Sequence, residues 1–303
     1  MTQETAAVAV GPAGVVVVGG PDRRAFLQAM LSQDVERLEV GAVADFLFLD
    51  AKGGPRAAGW LAVREHDILL VVPAEIAESF AETLASSTFL MQAAPAALQG
   101  WSQACARGPA AVPADAVAQA PRAPDRCAVV DEVLIARRQD GSVVWIGPAA
   151  AVADATARTD LAQVEPHELE RWRIAAGVPA WGSEIVAGHR TQELGLLPTH
   201  VHLDKGCYPG QESIAKTYNL GRPRRALCVV DFDGPVTAGT PLESDRRGGT
   251  VTSAAATEAG AVALCLLAVD RDGQPPQVVE APGAAGVVRQ RVGAGRSIPG
   301  AVP

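Results

Sequence analysis

The stretch 204–212, DKGCYPGQE, holds a cysteine in a setting suited to chemistry. Cys207 follows Lys205 and Gly206 and precedes a Pro209-Gly210 turn. Gly206 is free to take a positive φ or to let a ligand approach the backbone closely. Proline followed by glycine is a strong turn signal, because Pro presets φ and Gly tolerates either hand. Gln211 and Glu212 then read as the opening of a helix, with Tyr208 at its approach. Cys207 is therefore expected just ahead of a helix N-terminus, where unpaired N–H groups and the dipole favour an anion. That position and the nearby Lys205 ammonium both favour thiolate over thiol. The alternative is a tight strand-to-helix turn around a small buried thiol.

Other residue types compete for attention. His200 and His202 have a His-x-His spacing; on an extended strand they would share a face with Asp204, opposite Cys207. That parity argues against a simple cysteine–histidine dyad and leaves the pair as outer-face polar residues. Arg222, Arg224 and Arg225 form a local positive cluster, read either as a solvated loop or as a site for carboxylates, which Arg grips bidentately. Arg173 and Arg190 are further candidates for an anion. The five cysteines (105, 127, 207, 228 and 265) are widely spread with no C-x-x-C pair, which speaks against a disulfide framework, a zinc ribbon or a self-held iron–sulfur cluster. No metal site is expected. No Walker loop, G-x-G-x-x-G frame or G-x-S-x-G elbow is present.

These groups must be carried by 303 residues, enough for two or three domains, with 48% hydrophobic and 20% charged residues. Aromatics are only 4%, so Ala, Val and Leu have to fill the core. A net charge of −8 argues against a broad nucleic-acid surface, since phosphate binding needs a basic face. No run is long enough to span a bilayer, and no basic stretch leads into an apolar core as in a secretory signal. The expected setting is a reducing cytoplasm, with no membrane partner.

The patterning predicts strands at 15–18, 46–49, 60–63, 68–72, 129–136 and 143–146, and helices from Asp22, Pro73 and Glu165, the last with Leu169, Trp172 and Ala176 inward. Residues 107–126, rich in Ala, Pro and Gly, read as a loop or linker. Short strand-like runs after Ala226, with Cys228 and Cys265 inside them, suggest a small β-barrel. The expected division is an α+β unit over 1–220, a β-barrel over 221–285 and a flexible tail over 286–303.

The cysteine stretch is similar to the signature of the YgfZ family, folate-binding relatives of the glycine-cleavage T-protein, an aminomethyltransferase. The resemblance extends to residues 190–198 (RTQELGLLP), 219–225 (NLGRPRR), 20–27 (GPDRRAFL), 32–35 (SQDV) and 49–53 (LDAKG). It implies an α+β, T-protein-like three-part fold around a central cavity able to hold tetrahydrofolate, with a C-terminal barrel. It also implies an accessory role in assembly or repair of iron–sulfur clusters in client enzymes, tRNA-modifying ones among them, with Cys207 as the working residue. Lys205, Gly206, Tyr208, Gly210, Gln211, Glu212, Arg173 and Arg222 are then the residues expected around the folate. Two departures stand out. Aminomethyltransferases carry a pair of aspartates after the Gly-Gly turn, where this chain has Ala57-Ala58; the family's helix carboxylate in Arg-x-Glu-Ala-Gly is replaced at Ala175. Neither alanine can handle a proton, so the chain is expected not to be an active aminomethyltransferase. That activity and a non-catalytic binding module on the same fold are the alternatives.

Overall fold

The structure, a computed structural model, describes residues 5–220, 223–245 and 248–299. The chain divides into two compact units, one of residues 1–47 and 57–169, the other of residues 48–56 and 170–303. The expected boundary near 220 is thus displaced. The reason is topological: the turn after Leu47 leaves the first unit and returns to it at Ala57.

The first unit is built on two antiparallel sheets. One has the order β3-β4-β5-β2-β6, from β2 (Gly14–Gly19), β3 (Val43–Leu49), β4 (Pro55–Val63), β5 (Ile68–Val72) and β6 (Ala94–Leu98). The other has the order β11-β1-β7-β10-β9-β8, from β1 (Ala7–Pro12), β7 (Trp101–Arg107), β8 (Arg126–Val130), β9 (Val133–Arg137), β10 (Val143–Pro148) and β11 (Ala162–Gln163). In this second sheet β1 and β11 run parallel, the one exception to antiparallel pairing. Val15, Leu69 and Val71 of the first sheet share a buried cluster with Leu134, Ala136, Val144 and Ile146 of the second. The alternation of apolar side chains along each strand makes this facing layer. Helices α1 (Arg23–Met30) and α2 (Ala77–Ser86) bury Phe26, Leu27, Phe80 and Leu84, and α3 (Ala149–Ala157) buries Val152.

Two expectations change here. The strand expected over 129–136 breaks at Asp131-Glu132, both at positive φ, which turn β8 back into β9. The 107–126 stretch joins no units; it packs Val112, Val117 and Ala120 into the first unit's core. Arg137, itself buried, holds it by donating to the carbonyls of Val112 and Pro121 at 2.8 Å each.

The second unit contains a barrel-like sheet of order β13-β14-β15-β12-β17-β16, from β12 (Arg225–Phe232), β13 (Pro241–Leu242), β14 (Gly249–Thr257), β15 (Gly260–Ala268), β16 (Val278–Ala281) and β17 (Ala284–Arg291). Reciprocal backbone bonds between Glu243 and Glu280 at 2.8 and 2.9 Å join its two edges. Closure removes the unpaired edges that would otherwise recruit other strands. Cys228 and Cys265 face each other across β12 and β15 inside this core, as the apolar runs predict. The expected tail from 286 is instead β17, paired to both β12 and β16, and Pro299 accepts a hydrogen bond from Leu203 N at 2.9 Å. Glycine-rich composition misled there, because strand pairing supplies the order that local propensity lacks.

Candidate functional site

The second unit carries the cysteine stretch, and its geometry rests on three glycines. Helix α4 (Glu170–Ala175), preceded by a 3-10 turn at Pro166–Leu169, ends at Gly177, whose φ of +69° and bonds Gly177 N to Ile174 O and Val178 N to Arg173 O form a Schellman cap. Leu169, just before α4, is buried as expected, but the buried side chains of the helix itself are Arg173 and Ile174, with Trp172 half-buried and Ala176 exposed. Between α4 and the motif, a short helix α5 (Leu197–His200) and a turn at 203–205 replace the expected strand. The face-sharing reading of the histidines lapses with it. His200 Nδ1 lies 2.7 Å from Thr199 Oγ1, and His202 Nδ1 is buried without a hydrogen-bond partner. Among the described residues, no group of three or more His, Cys, Asp or Glu side chains could hold a metal.

Helix α6 (Gln211–Leu220) begins where the Pro-Gly turn predicts. Tyr208 N donates to Gln211 Oε1 at 3.2 Å, and Gly210 O accepts from Ser213 N and Ile214 N at 3.1 and 3.3 Å. Gln211 N also donates to Tyr208 O at 3.3 Å, so the approach supplies acceptors to part of the first turn. Gly210 has φ +79°, and a Cβ there would lie 2.5 Å from Asp50 O and 2.9 Å from Leu49 Cβ. Gly53 also has φ +79°, and a Cβ on it would lie 2.7 Å from Ser213 Cβ. The turn 50–54 and the motif thus interlock backbone to backbone. Asp50 shapes the turn: its Oδ1 accepts Lys52 N and Gly54 N at 2.8 and 2.9 Å, as Asp side chains do in tight turns.

On this mount Tyr208 and Ile214 are buried, while Gly206, Cys207 and Glu212 are exposed and Lys205 and Gln211 half-buried. Gly206 has neither positive φ nor any neighbour within 4 Å of a built Cβ, so it leaves open space beside the thiol instead of forming a strained turn. The Lys205 ammonium sits 5.0 Å from the Tyr208 ring centroid, a cation–π contact, and burial pushes the Tyr208 phenol up to about 12. Arg173, expected near an anion, has its N–H groups engaged within the unit. They reach Glu170 Oε2 at 2.8 Å, Glu184 Oε2 at 3.2 Å, Ser253 Oγ at 2.9 Å and the Val178 carbonyl. It ties α4 to β14 and has no donor left for a ligand. Arg225 chelates the buried Glu193 at 2.9 and 3.2 Å. Arg190 and Arg224 are exposed. Arg222 lies outside the described residues. Sequence reading missed Asp50, Ser213, Glu184 and Glu193; only Asp50, three residues ahead of Gly53-Gly54, carried a local turn signal.

No protein-family model matches the chain. Over 73 residues it is 34% identical to a mitochondrial protein of Cryptococcus neoformans named iron-sulfur cluster assembly factor IBA57 homolog, covering 23% of this chain and 19% of that protein. Over 85 residues it is 33% identical to a putative chloroplastic transferase, At1g60990, of Arabidopsis thaliana, covering 28% of this chain and 19% of that protein. The matched stretches thus span about a fifth of these curated relatives. The crystal structure of glycine cleavage system aminomethyltransferase T from Bartonella henselae aligns at TM-score 0.81 and 20% identity, over 95% of this chain and 86% of that one. The chain has the T-protein-like fold. The likeness to the aminomethyltransferase establishes the fold, including the barrel expected at the C-terminus.

Within this T-protein-like fold, Cys207 is the exposed thiol among the described cysteines. Cys105 and Cys127 are half-buried and Cys228 and Cys265 buried. Burial raises all four, Cys127 to about 11 and Cys228 to about 12. Since thiolate is the nucleophile, brief alkylation of native protein at mildly acidic pH is expected to label Cys207 at least tenfold faster than any other cysteine. Lys205→Ala is expected to slow that labelling, and Arg138→Ala to leave it unchanged. Peptide mapping that finds Cys105 or Cys127 modified first would make Cys207 structural.

The barrel thiols also set a pH dependence. A thiol with a higher pKa folded than unfolded favours folding below the unfolded value and loses that contribution as pH rises. For Cys228 the window runs from the ordinary 9.0 to about 12, and Cys265 shifts in the same direction. Denaturant midpoints measured across that range are expected to fall more steeply for the wild type than for Cys228→Ala/Cys265→Ala. Parallel curves would remove the thiols as the cause.

Proposed function

We propose that this chain is a folate-binding accessory protein that supports assembly or repair of iron–sulfur clusters in client enzymes, tRNA-modifying enzymes included, in a reducing cytoplasm. The observation that carries this is the display of Cys207: an exposed thiol on a loop locked by Gly53 and Gly210, whereas the other four cysteines are half-buried or buried. The named role of the Cryptococcus relative supports the same reading. In it, the Cys207 thiol gives up its proton and its sulfur binds iron carried by a partner protein, a soft ligand suited to that ion. Lys205 holds the loop against Tyr208 through its cation–π contact.

The side chains fit the acidic end of a folate better than its pterin. Exposed Arg190 and Arg224 are suited to carboxylates, whereas Arg173 is saturated and Ala175 stands where the family has its carboxylate. A reduced folate, when bound, supplies a one-carbon unit. Aminomethyl transfer is disfavoured because Ala57 and Ala58, at 0% and 6% exposure, put no acid or base at the matching positions.

The test pairs two measurements. Titration with tetrahydrofolate is expected to give similar Kd values for wild type and Cys207→Ala, since the thiol is no part of a carboxylate grip. Activity of iron–sulfur enzymes in cells lacking the chain is expected to return with wild type and to stay at least fivefold lower with Cys207→Ala. Full restoration by Cys207→Ala would overturn the role of the thiol; absence of folate binding would overturn the cofactor. A reconstituted glycine-cleavage assay is expected to show no aminomethyl transfer.

A further inference from the structure

A different part of the molecule presents an anomaly. After α2 ends at Ser86, Met91 N donates to Thr88 O at 2.8 Å and closes a β-turn whose two corner residues are Phe89 and Leu90. Turn corners normally carry Gly, Asn, Asp, Pro or Ser, which tolerate the geometry and the water. Here both corners are large and apolar, at 90% and 87% exposure. Phe89 moreover has φ +38°, a conformation that a bulky side chain rarely adopts. The isolated chain gains nothing from either feature: the rings and branches touch water and the backbone is strained.

The turn is nonetheless firmly mounted. Its foot, Gln92, donates N–H to Asp22 Oδ2 at 2.7 Å and accepts from Asp22 N at 3.2 Å. Gly20, at φ +95°, leaves room for Gln92 O, which a Cβ would approach to 2.2 Å. Two apolar side chains held outward on a fixed base resemble the anchors that dominate protein interfaces, where an aromatic residue fills a pocket on the partner.

The flanks indicate what that partner must offer. Glu75, Glu78 and Glu82 are exposed along the helix leading to the turn, and residues 74–100 contain no Lys or Arg. A second copy of this chain would set glutamate against glutamate, and an anionic membrane would repel the same face. We propose that the Phe89–Leu90 turn is a docking anchor that inserts into an apolar cleft, rimmed by Lys or Arg, on a partner protein.

Two measurements on the full chain test this. Phe89→Asn keeps a residue that tolerates positive φ and removes the exposed ring, so its thermal midpoint is expected to equal or exceed the wild type. A drop of several degrees would mean that Phe89 stabilises its own chain and would overturn the proposal. For the second, p-benzoylphenylalanine replaces Leu90 in cells, with the same probe at the exposed Val287 as control. Irradiation is expected to give adducts at least tenfold above the control, mapped by mass spectrometry to an apolar residue flanked by Lys or Arg on another protein. Glu78→Lys/Glu82→Lys is expected to reduce them at least fivefold. Adducts to a second copy or to lipid, adducts indifferent to charge reversal, or none above the control would each overturn it.

Discussion

Gly210→Val is expected to destabilise the second unit by about 3–5 kcal/mol, a large share of the 5–15 kcal/mol that holds a typical domain. Two costs combine. The residue sits at φ +79°, which a β-branched side chain adopts at a penalty on the order of 1–2 kcal/mol. Its Cβ would also press on backbone: Asp50 O at 2.5 Å and Gly53 Cα at 3.1 Å, neither of which can rotate away. Gly53→Ala meets a side chain instead, Ser213 Cβ at 2.7 Å, so Ser213→Gly is expected to restore part of its loss. Denaturant unfolding of the four proteins measures this directly. Cells carrying Gly210→Val are expected to lose the iron–sulfur activity attributed to Cys207. A Gly210→Val protein as stable as wild type would mean that turn 50–54 does not lock the motif.

Glu184→Ala is the second large effect, expected at about 3–5 kcal/mol. Glu184 has no exposed surface, and its carboxylate accepts Arg173 Nη1 at 3.2 Å, Ala180 N at 2.9 Å and Ser253 Oγ at 2.6 Å. Truncation leaves a buried guanidinium N–H, an amide and a hydroxyl without that acceptor, and each unsatisfied group carries its full desolvation cost. Ser253→Ala removes one hydroxyl and is expected to cost only about 1 kcal/mol. Arg173→Met/Glu184→Leu removes both charges and is expected to recover the part of the loss that the unpaired guanidinium carries, while Ala180 N and the Ser253 hydroxyl still lack the carboxylate. Urea midpoints decide between these. A Glu184→Ala change under about 0.5 kcal/mol would show that the pair is solvated.

Much of the fold was legible. Continuous apolar runs marked β2, β5, β10, β12 and β15, since strands buried on both faces carry apolar side chains throughout. The Pro-Gly turn placed the start of α6, and Gly177 the end of α4. Strands β7 and β17 and helix α3 were not marked, because Ala- and Gly-rich stretches carry too little contrast between faces for periodicity to show. The hairpin at Asp131-Glu132 was hidden for a different reason: Asp131 tolerates positive φ, but Glu132 is not a usual residue there and the pair lacks the glycine that marks tight hairpins.

At the site the division is sharper. Sequence alone marked Cys207, because Lys205, the Pro-Gly turn and the following helix are its neighbours along the chain and turn chemistry acts over that distance. It also determined the absence of acid or base at Ala57-Ala58, a matter of residue type. Only tertiary structure decided that this thiol is exposed, what holds its loop in place and that Arg173 is spent within the unit. Gly53 and Gly210 carry no mark of their neighbours, yet Gly210 has to be small because Asp50 O and Gly53 Cα pass close to it, and Gly53 because Ser213 does. Arg173 looks like any other arginine until Glu170, Glu184 and Ser253 close around it. Close approach and saturation of donors are properties of packing in three dimensions, set by residues far apart in the chain.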